Sequence, residues 1–231
     1  MTNIHLIGGE KGGVGKSLVA RLLAQYCIDH SIAFTAFDTD RTHGALLRFY
    51  ADYTSPIFMD SYESLDTIVE AATENPERRI LVDLAAQTSQ GLTQWMDDSQ
   101  FLEVAPEIGL NIRYWHVLDS GRDSVDLLRR LLDRHGTRLH YTLVLNQVRG
   151  ADFRVLDSSG EKERAVNMGA DIVTLKRLDG TSMLKIDASS MSFWAVANKS
   201  EGDNSGLRLL ERQRVKVWLE NAYAEIARPG V

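Results

Sequence analysis

The eight residues Glu10-Lys11-Gly12-Gly13-Val14-Gly15-Lys16-Ser17 constrain this chain more than any other stretch, because they stand between a β-rich run and a helix-forming one. Residues 3 to 8, NIHLIG, form the first run, which ends at Gly8 and Gly9. From Ser17 to Asp29, Leu18, Val19, Leu22, Leu23 and Tyr26 recur at helical spacing. Strand, glycine-rich turn and helix in that order open a parallel α/β fold. The turn has a chemistry of its own. Glycines let the backbone curl so that its N–H groups face an anion, and the helix N-terminus behind them adds positive potential. Lys16 is spaced to reach the β- and γ-phosphates of a nucleotide, and the Ser17 hydroxyl to ligate Mg2+. The expected phosphate-binding set is therefore Gly12, Gly13, Val14, Gly15, Lys16 and Ser17.

The same alternation runs on. Candidate strands are SIAFTAFD (31 to 38), RRILVDLA (79 to 86), NIRYWHVL (111 to 118), HYTLVLNQV (140 to 148) and ADIVTLKRL (170 to 178). Several are nearly continuous apolar runs, as strands buried on both faces should be. Between them, residues 122 to 134 place Val125, Leu128, Leu131 and Leu132 on one helical face, with Gly136 where a C-terminal cap belongs. Residues 149 to 166 and 198 to 206 are polar and read as loops, neither separating two pieces large enough to own a core. The expectation is one domain over 1–231, a doubly wound, mostly parallel sheet flanked by helices, with a C-terminal helix over about 206–227.

A formal net charge of −6 excludes a uniformly basic nucleic-acid coat and leaves room for a local basic patch. Cys27, the single cysteine, excludes an intrachain disulfide and a four-cysteine metal site, and reads as a small core residue. No stretch approaches the roughly 20 apolar residues that span a bilayer, and the N-terminus has no secretory pattern, so a cytoplasmic location is expected. Trp95, Trp115, Trp194 and Trp218 are scattered and read as core or interface residues. The six histidines have no ligand spacing, which leaves Mg2+ as the one metal expected.

Glu10 replaces the first glycine of the common G-x-x-x-x-G-K-[ST] pattern, while Lys11 adds a lysine just before Gly12-Gly13. The resulting K-G-G-x-G-K-[ST] resembles the deviant Walker A loop of the ParA/MinD family of ATPases, and motifs carry the resemblance over about residues 1 to 150. It implies a P-loop NTPase fold, ATP and Mg2+ as cofactors, and an ATP-dependent homodimer in which Lys11 reaches the partner's phosphates. In Phe37-Asp38-Thr39-Asp40 it implies the D-x-D of the first switch, with Asp38 near the metal and Asp40 positioning the attacking water; two solvated turn acids are the alternative. Ile80-Leu81-Val82-Asp83 looks like the Walker B strand, with Asp83 acting on Mg2+ through a water. The following Leu84-Ala85-Ala86-Gln87-Thr88 departs from the family's second switch. Asn146 stands where the family holds the adenine edge with an amide, although a turn role fits it equally. The following Gln147-Val148-Arg149 lacks the aspartate of N-K-x-D, which favours ATP over GTP. Lys11, Lys16 and Asp40 are thus the candidate catalytic residues, and Ser17, Asp38 and Asp83 the candidate metal-site residues.

Beyond residue 150 the reading rests on composition and helical pattern. The lone cysteine removes the iron–sulfur relatives, and the ending AEIARPGV is a poor membrane anchor. Arg208, Arg212 and Lys216 follow one another at i, i+4 and i+8, a stripe suited to non-specific DNA phosphates; a solvated face balanced by Glu211 and Glu220 is the alternative. The expected function is a ParA-like ATPase switch that pairs around ATP and hydrolyses it slowly to move or position DNA or another cargo. A stimulating adaptor protein, and nucleoid association if DNA is bound, go with it. The alternatives are a MinD-like positioning ATPase, a regulatory ATP-binding protein of a DNA-transfer or assembly machine, and a metabolic synthetase, against which Lys11 argues.

Overall fold

A computed structural model describes residues 2–41, 44–86, 88–198 and 206–231. The chain runs β1 (Thr2–Gly8), α1 (Lys16–Asp29), β2 (Phe34–Asp38), α2 (Ala45–Phe49), β3 (Thr54–Pro56), α3 (Tyr62–Glu74) and β4 (Arg79–Asp83). It continues through α4 (Ser89–Asp98), α5 (Phe101–Glu107), β5 (Leu110–Leu118), α6 (Arg122–His135) and β6 (His140–Asn146). The last elements are α7 (Arg154–Ser159), α8 (Glu161–Asn167), β7 (Asp171–Leu175), α9 (Gly180–Ser189), α10 (Phe193–Asn198) and α11 (Leu209–Ile226).

Among the described residues all strand pairings are parallel, and the seven strands lie in the order β3-β2-β4-β1-β5-β6-β7. The chain leaves central β1 toward β2 on one side and later fills β5, β6 and β7 on the other, so the turn after β1 sits where the strand order reverses, the crevice in which open α/β sheets take ligands. Side chains alternate between two buried faces. Ile4, Leu6, Ile80, Val82, Leu143 and Leu145 pack with α3 to α8, while Ile7, Leu81, Trp115, Val144 and Val173 pack with α1 and α9 to α11. Burial on both sides is why the strands read as unbroken apolar runs. Cys27 is buried on the α1 side, as expected. At the sheet margins, β3 is three residues long and ends in Pro56, and the Thr174 N–H of β7 donates to Glu225 Oε2 of α11 at 2.8 Å.

The strands are shorter than expected: 31–38 begins at Phe34, 79–86 stops at Asp83, 140–148 at Asn146 and 170–178 at Leu175. β3 was not anticipated, because three residues hold no periodicity and pairing with β2 makes the strand. Residues 149–166 are corrected from loop to a short helical turn followed by α7 and α8. Their apolar signal is thin, and Leu156 and Ala165 buried against the core fix them together with Arg129–Glu161 (2.7 Å) and Arg164–Asp133 (2.7 Å) ion pairs. Of the loop expected over 198–206, Asn198 ends α10 and residues 199–205 lie outside the described residues, as does Gln87. Three tryptophans are buried; Trp194 is half exposed on α10.

Candidate functional site

β1 delivers the glycine turn to the C-terminal end of the sheet, and α1 starts directly behind it with Gly15 as its N-cap. Gly13 (φ +74) and Gly15 (φ +97) take the left-handed backbone that glycine alone adopts freely. A Cβ on Gly15 would lie 2.2 Å from Asn146 Nδ2, and one on Gly13 2.7 Å from Arg149 Nη2, so the turn is pressed against the end of β6. Lys16 is 8% exposed and its ammonium donates to the Lys11 carbonyl at 3.1 Å, holding the turn curled.

Asp38 ends β2 and Asp83 ends β4, and the register pairs them directly. Burial pushes the Asp83 carboxyl up to about 7; the neighbouring Asp38 carboxylate adds to this, while the Ser17 hydroxyl and Lys16 oppose it. One Asp83 oxygen, Oδ1, is buried without a hydrogen-bond partner among the described residues. Burial likewise lowers the Lys16 ammonium, against the pull of Asp83 and Asp40. An unpartnered carboxylate oxygen beside the Ser17 hydroxyl and a second acid fits a hard divalent cation and its waters. Asp38 also anchors the start of α2, since its Oδ1 accepts from the Asp40 N–H (3.0 Å) and its Oδ2 from the Leu46 (2.9 Å) and Leu47 (3.1 Å) N–H groups. Asp40 lies beside it, lining a cavity of about 440 Å3 together with Arg41, Phe58 and Asp60.

The structure bears on two sequence-derived readings that each carried an alternative. Asn146, read as either an adenine-edge or a turn residue, is 1% exposed; its amide donates to the Val14 carbonyl at 2.8 Å and its Oδ1 accepts from the Val148 N–H at 3.3 Å. Both polar atoms engage backbone, so Asn146 braces the turn from below, in keeping with the turn role. The stripe Arg208, Arg212, Lys216 is broken in the middle: Arg212 is 8% exposed, on the same side of α11 as Val215, Trp218 and Ala222, with Nε on the Leu207 carbonyl at 3.0 Å. The core takes the face that holds Arg212, which leaves Arg208 and Lys216 exposed without it.

Lys11 lies at the mouth of the turn with its ammonium 3.2 Å from both oxygens of Asp119, the residue just past β5. Asp119, Arg149 and Thr39 were missed by sequence reasoning. Thr39 ties β2 to β4, donating to the Asp83 carbonyl (3.0 Å) and accepting from the Ala85 N–H (2.7 Å). The signal that could have found Asp119 is the one that found Asp38 and Asp83, a carboxylate closing an apolar strand.

No family model matches the chain. Its sequence is similar to Protein MobD of Acidithiobacillus ferrooxidans, 26% identical over 135 residues that span 57% of this chain and 58% of MobD. It is also similar to Protein TraL of Escherichia coli, 22% identical over 98% of both chains. Among solved structures, the MinC:MinD cell division complex of Aquifex aeolicus matches with a TM-score of 0.59 at 13% identity, covering 99% of this chain and 96% of that one. A nucleotide-binding protein of Archaeoglobus fulgidus in complex with ADP matches at 0.52 and 15% identity, covering 81% and 86%. With the loop sequence Lys11–Ser17 set at the reversal point of a parallel sheet, the chain has the fold of MinD and its ParA-like relatives and resembles that family in the loop itself.

Proposed function

We propose that the chain is an ATP-dependent switch that binds ATP with Mg2+ at the Gly12–Ser17 loop, pairs with a second copy and resets by hydrolysis. One observation carries this reading. Lys16 is buried beside the strand-end carboxylate of Asp83, which keeps an unpartnered oxygen and has Asp38 next to it, an arrangement that costs stability until a phosphate and a cation complete it. On binding, Lys16 exchanges the Lys11 carbonyl for phosphate oxygens while the loop N–H groups face the same charge. Ser17, and Asp83 through a water, would hold Mg2+, which supplies charge neutralisation at the phosphates. Asp40 orients a water whose oxygen attacks the γ-phosphorus as the bond to ADP breaks. Lys11 serves the partner's nucleotide.

The likeness to MobD and, over nearly the whole length, to TraL supports placing such a switch in DNA transfer rather than in partition. With Arg212 buried, direct DNA contact through α11 has the exposed Arg208, Arg214 and Lys216 to rest on, without the continuous stripe, and we favour an adaptor protein as the carrier of cargo. Sedimentation with a nonhydrolysable ATP analogue and Mg2+ tests the pairing. Wild type is expected to form dimers with the analogue and not with ADP, and Lys11→Ala to stay monomeric while binding nucleotide normally. Normal dimers from Lys11→Ala defeat the cross-chain role.

A further inference from the structure

The residue that Lys11 touches in its own chain is as informative as the one it would touch in a partner. Asp119 is almost sealed from water, its side chain 2% exposed. Its Oδ1 accepts from the Ser124 hydroxyl (2.7 Å), the Gly121 N–H (3.0 Å) and Lys11 Nζ (3.2 Å). Its Oδ2 lies 3.2 Å from Lys11 Nζ and 3.3 Å from Arg149 Nη1. Lys11 is also 3.6 Å from Asp123 Oδ2, an exposed and therefore well-screened carboxylate. Burial alone would raise the Asp119 carboxyl, but Ser124, Gly121 and Lys11 together hold it below the ordinary range, so it stays ionised.

Resting on the reading above, we infer that Asp119 is a positioning residue that sequesters Lys11 within its own chain, so that pairing around nucleotide requires Lys11 to exchange this carboxylate for the partner's phosphates. The arrangement is releasable. When Lys11 leaves, Arg149, Ser124 and Gly121 still satisfy Asp119, so no buried charge is abandoned. The contact also depends on the absence of a side chain at position 121. A Cβ there would lie 2.7 Å from Lys11 Nζ and 3.1 Å from Asp119 Oδ1, and the flexible lysine is the group that moves. Gly121 has an ordinary extended backbone (φ −87, ψ 153), so alanine fits the chain and still evicts the ammonium.

The test is a sedimentation titration of the full chain with Mg2+ and a nonhydrolysable ATP analogue, beside fluorescent ADP binding to the monomer and thermal melts. Asp119→Asn and Gly121→Ala are both expected to lower the analogue concentration at half-dimer by about tenfold, the size of one charge-assisted contact. ADP affinity should stay within about twofold, and Lys11→Ala combined with Gly121→Ala should pair no better than Lys11→Ala alone. A half-dimer concentration that stays put or rises in Gly121→Ala, with a wild-type melt, overturns the inference, and this variant decides the matter if Asp119→Asn folds poorly. Wild-type pairing by Lys11→Ala strikes instead at the cross-chain role, and the sequestration falls with it.

Discussion

The loop end of the sheet and the C-terminal helix both carry charge at regular spacing in the sequence, and the fold treats them in opposite ways. At the loop, Lys16, Asp38, Asp83 and Asp119 are all withdrawn from water, and Asp83 keeps an oxygen with no partner among the described residues. On α11 and its N-cap, Lys216 and Arg208 remain exposed, Arg212 is packed against the core with its Nε on a local carbonyl, and Glu211 answers Lys185 at 2.8 Å. Burying charge without full compensation costs several kcal/mol per group by order of magnitude, whereas exposed pairs are worth little either way. The loop end is therefore incomplete until a ligand arrives, and α11 is complete already. Charge spacing alone does not mark a site; charge held out of water with partners missing does.

The contrast can be broken at its strongest point by Lys16→Ala. Removing the central phosphate cation should weaken ATP binding by about 3–5 kcal/mol, about a hundredfold to a few thousandfold by calorimetry, and unchanged affinity would empty the loop of its assigned role. Asp83→Asn should come next. Because burial raises the Asp83 carboxyl to about 7, the folded chain binds more protons there than the unfolded chain between about pH 4 and 7. Stability is thus lost as pH rises through that window. The asparagine should therefore stabilise the ligand-free protein by about 2–4 kcal/mol at about pH 8 and change it little near pH 4, as read by urea melts at both values. The smallest effects belong to α11: Arg212→Ala should cost about 1–2 kcal/mol through lost packing and its carbonyl contact, and Lys216→Ala under about 0.5 kcal/mol. A Lys216→Ala variant as damaging as Arg212→Ala would dissolve the distinction between the two residues.

Much of the fold and of the loop was legible because periodicity and glycine placement are local signals. The runs at 3–8, 79–86 and 111–118 each hold a strand, and Asp38 and Asp83 close theirs as their sequence positions suggest. What stayed hidden depends on contacts between distant segments. Asn146 could be placed at a strand end, but its partner, Val14, is 132 residues away, so brace and base reader look the same in sequence. The i, i+4, i+8 rule gave the angular position of Arg212 without saying which side the core would take; Val215, Trp218 and Ala222 on that side held the answer. Asp119 carries the strand-end signature too, but no family motif points to it.

The margins of the sheet limit how copies of this chain can associate. A neighbour seeking to add a strand meets three residues ending in proline on one side and, on the other, an amide already claimed by Glu225. Both features disfavour open-ended stacking by edge pairing. The pairing we propose lies instead at the nucleotide end, where two identical surfaces meeting about a twofold axis would close the assembly at two copies.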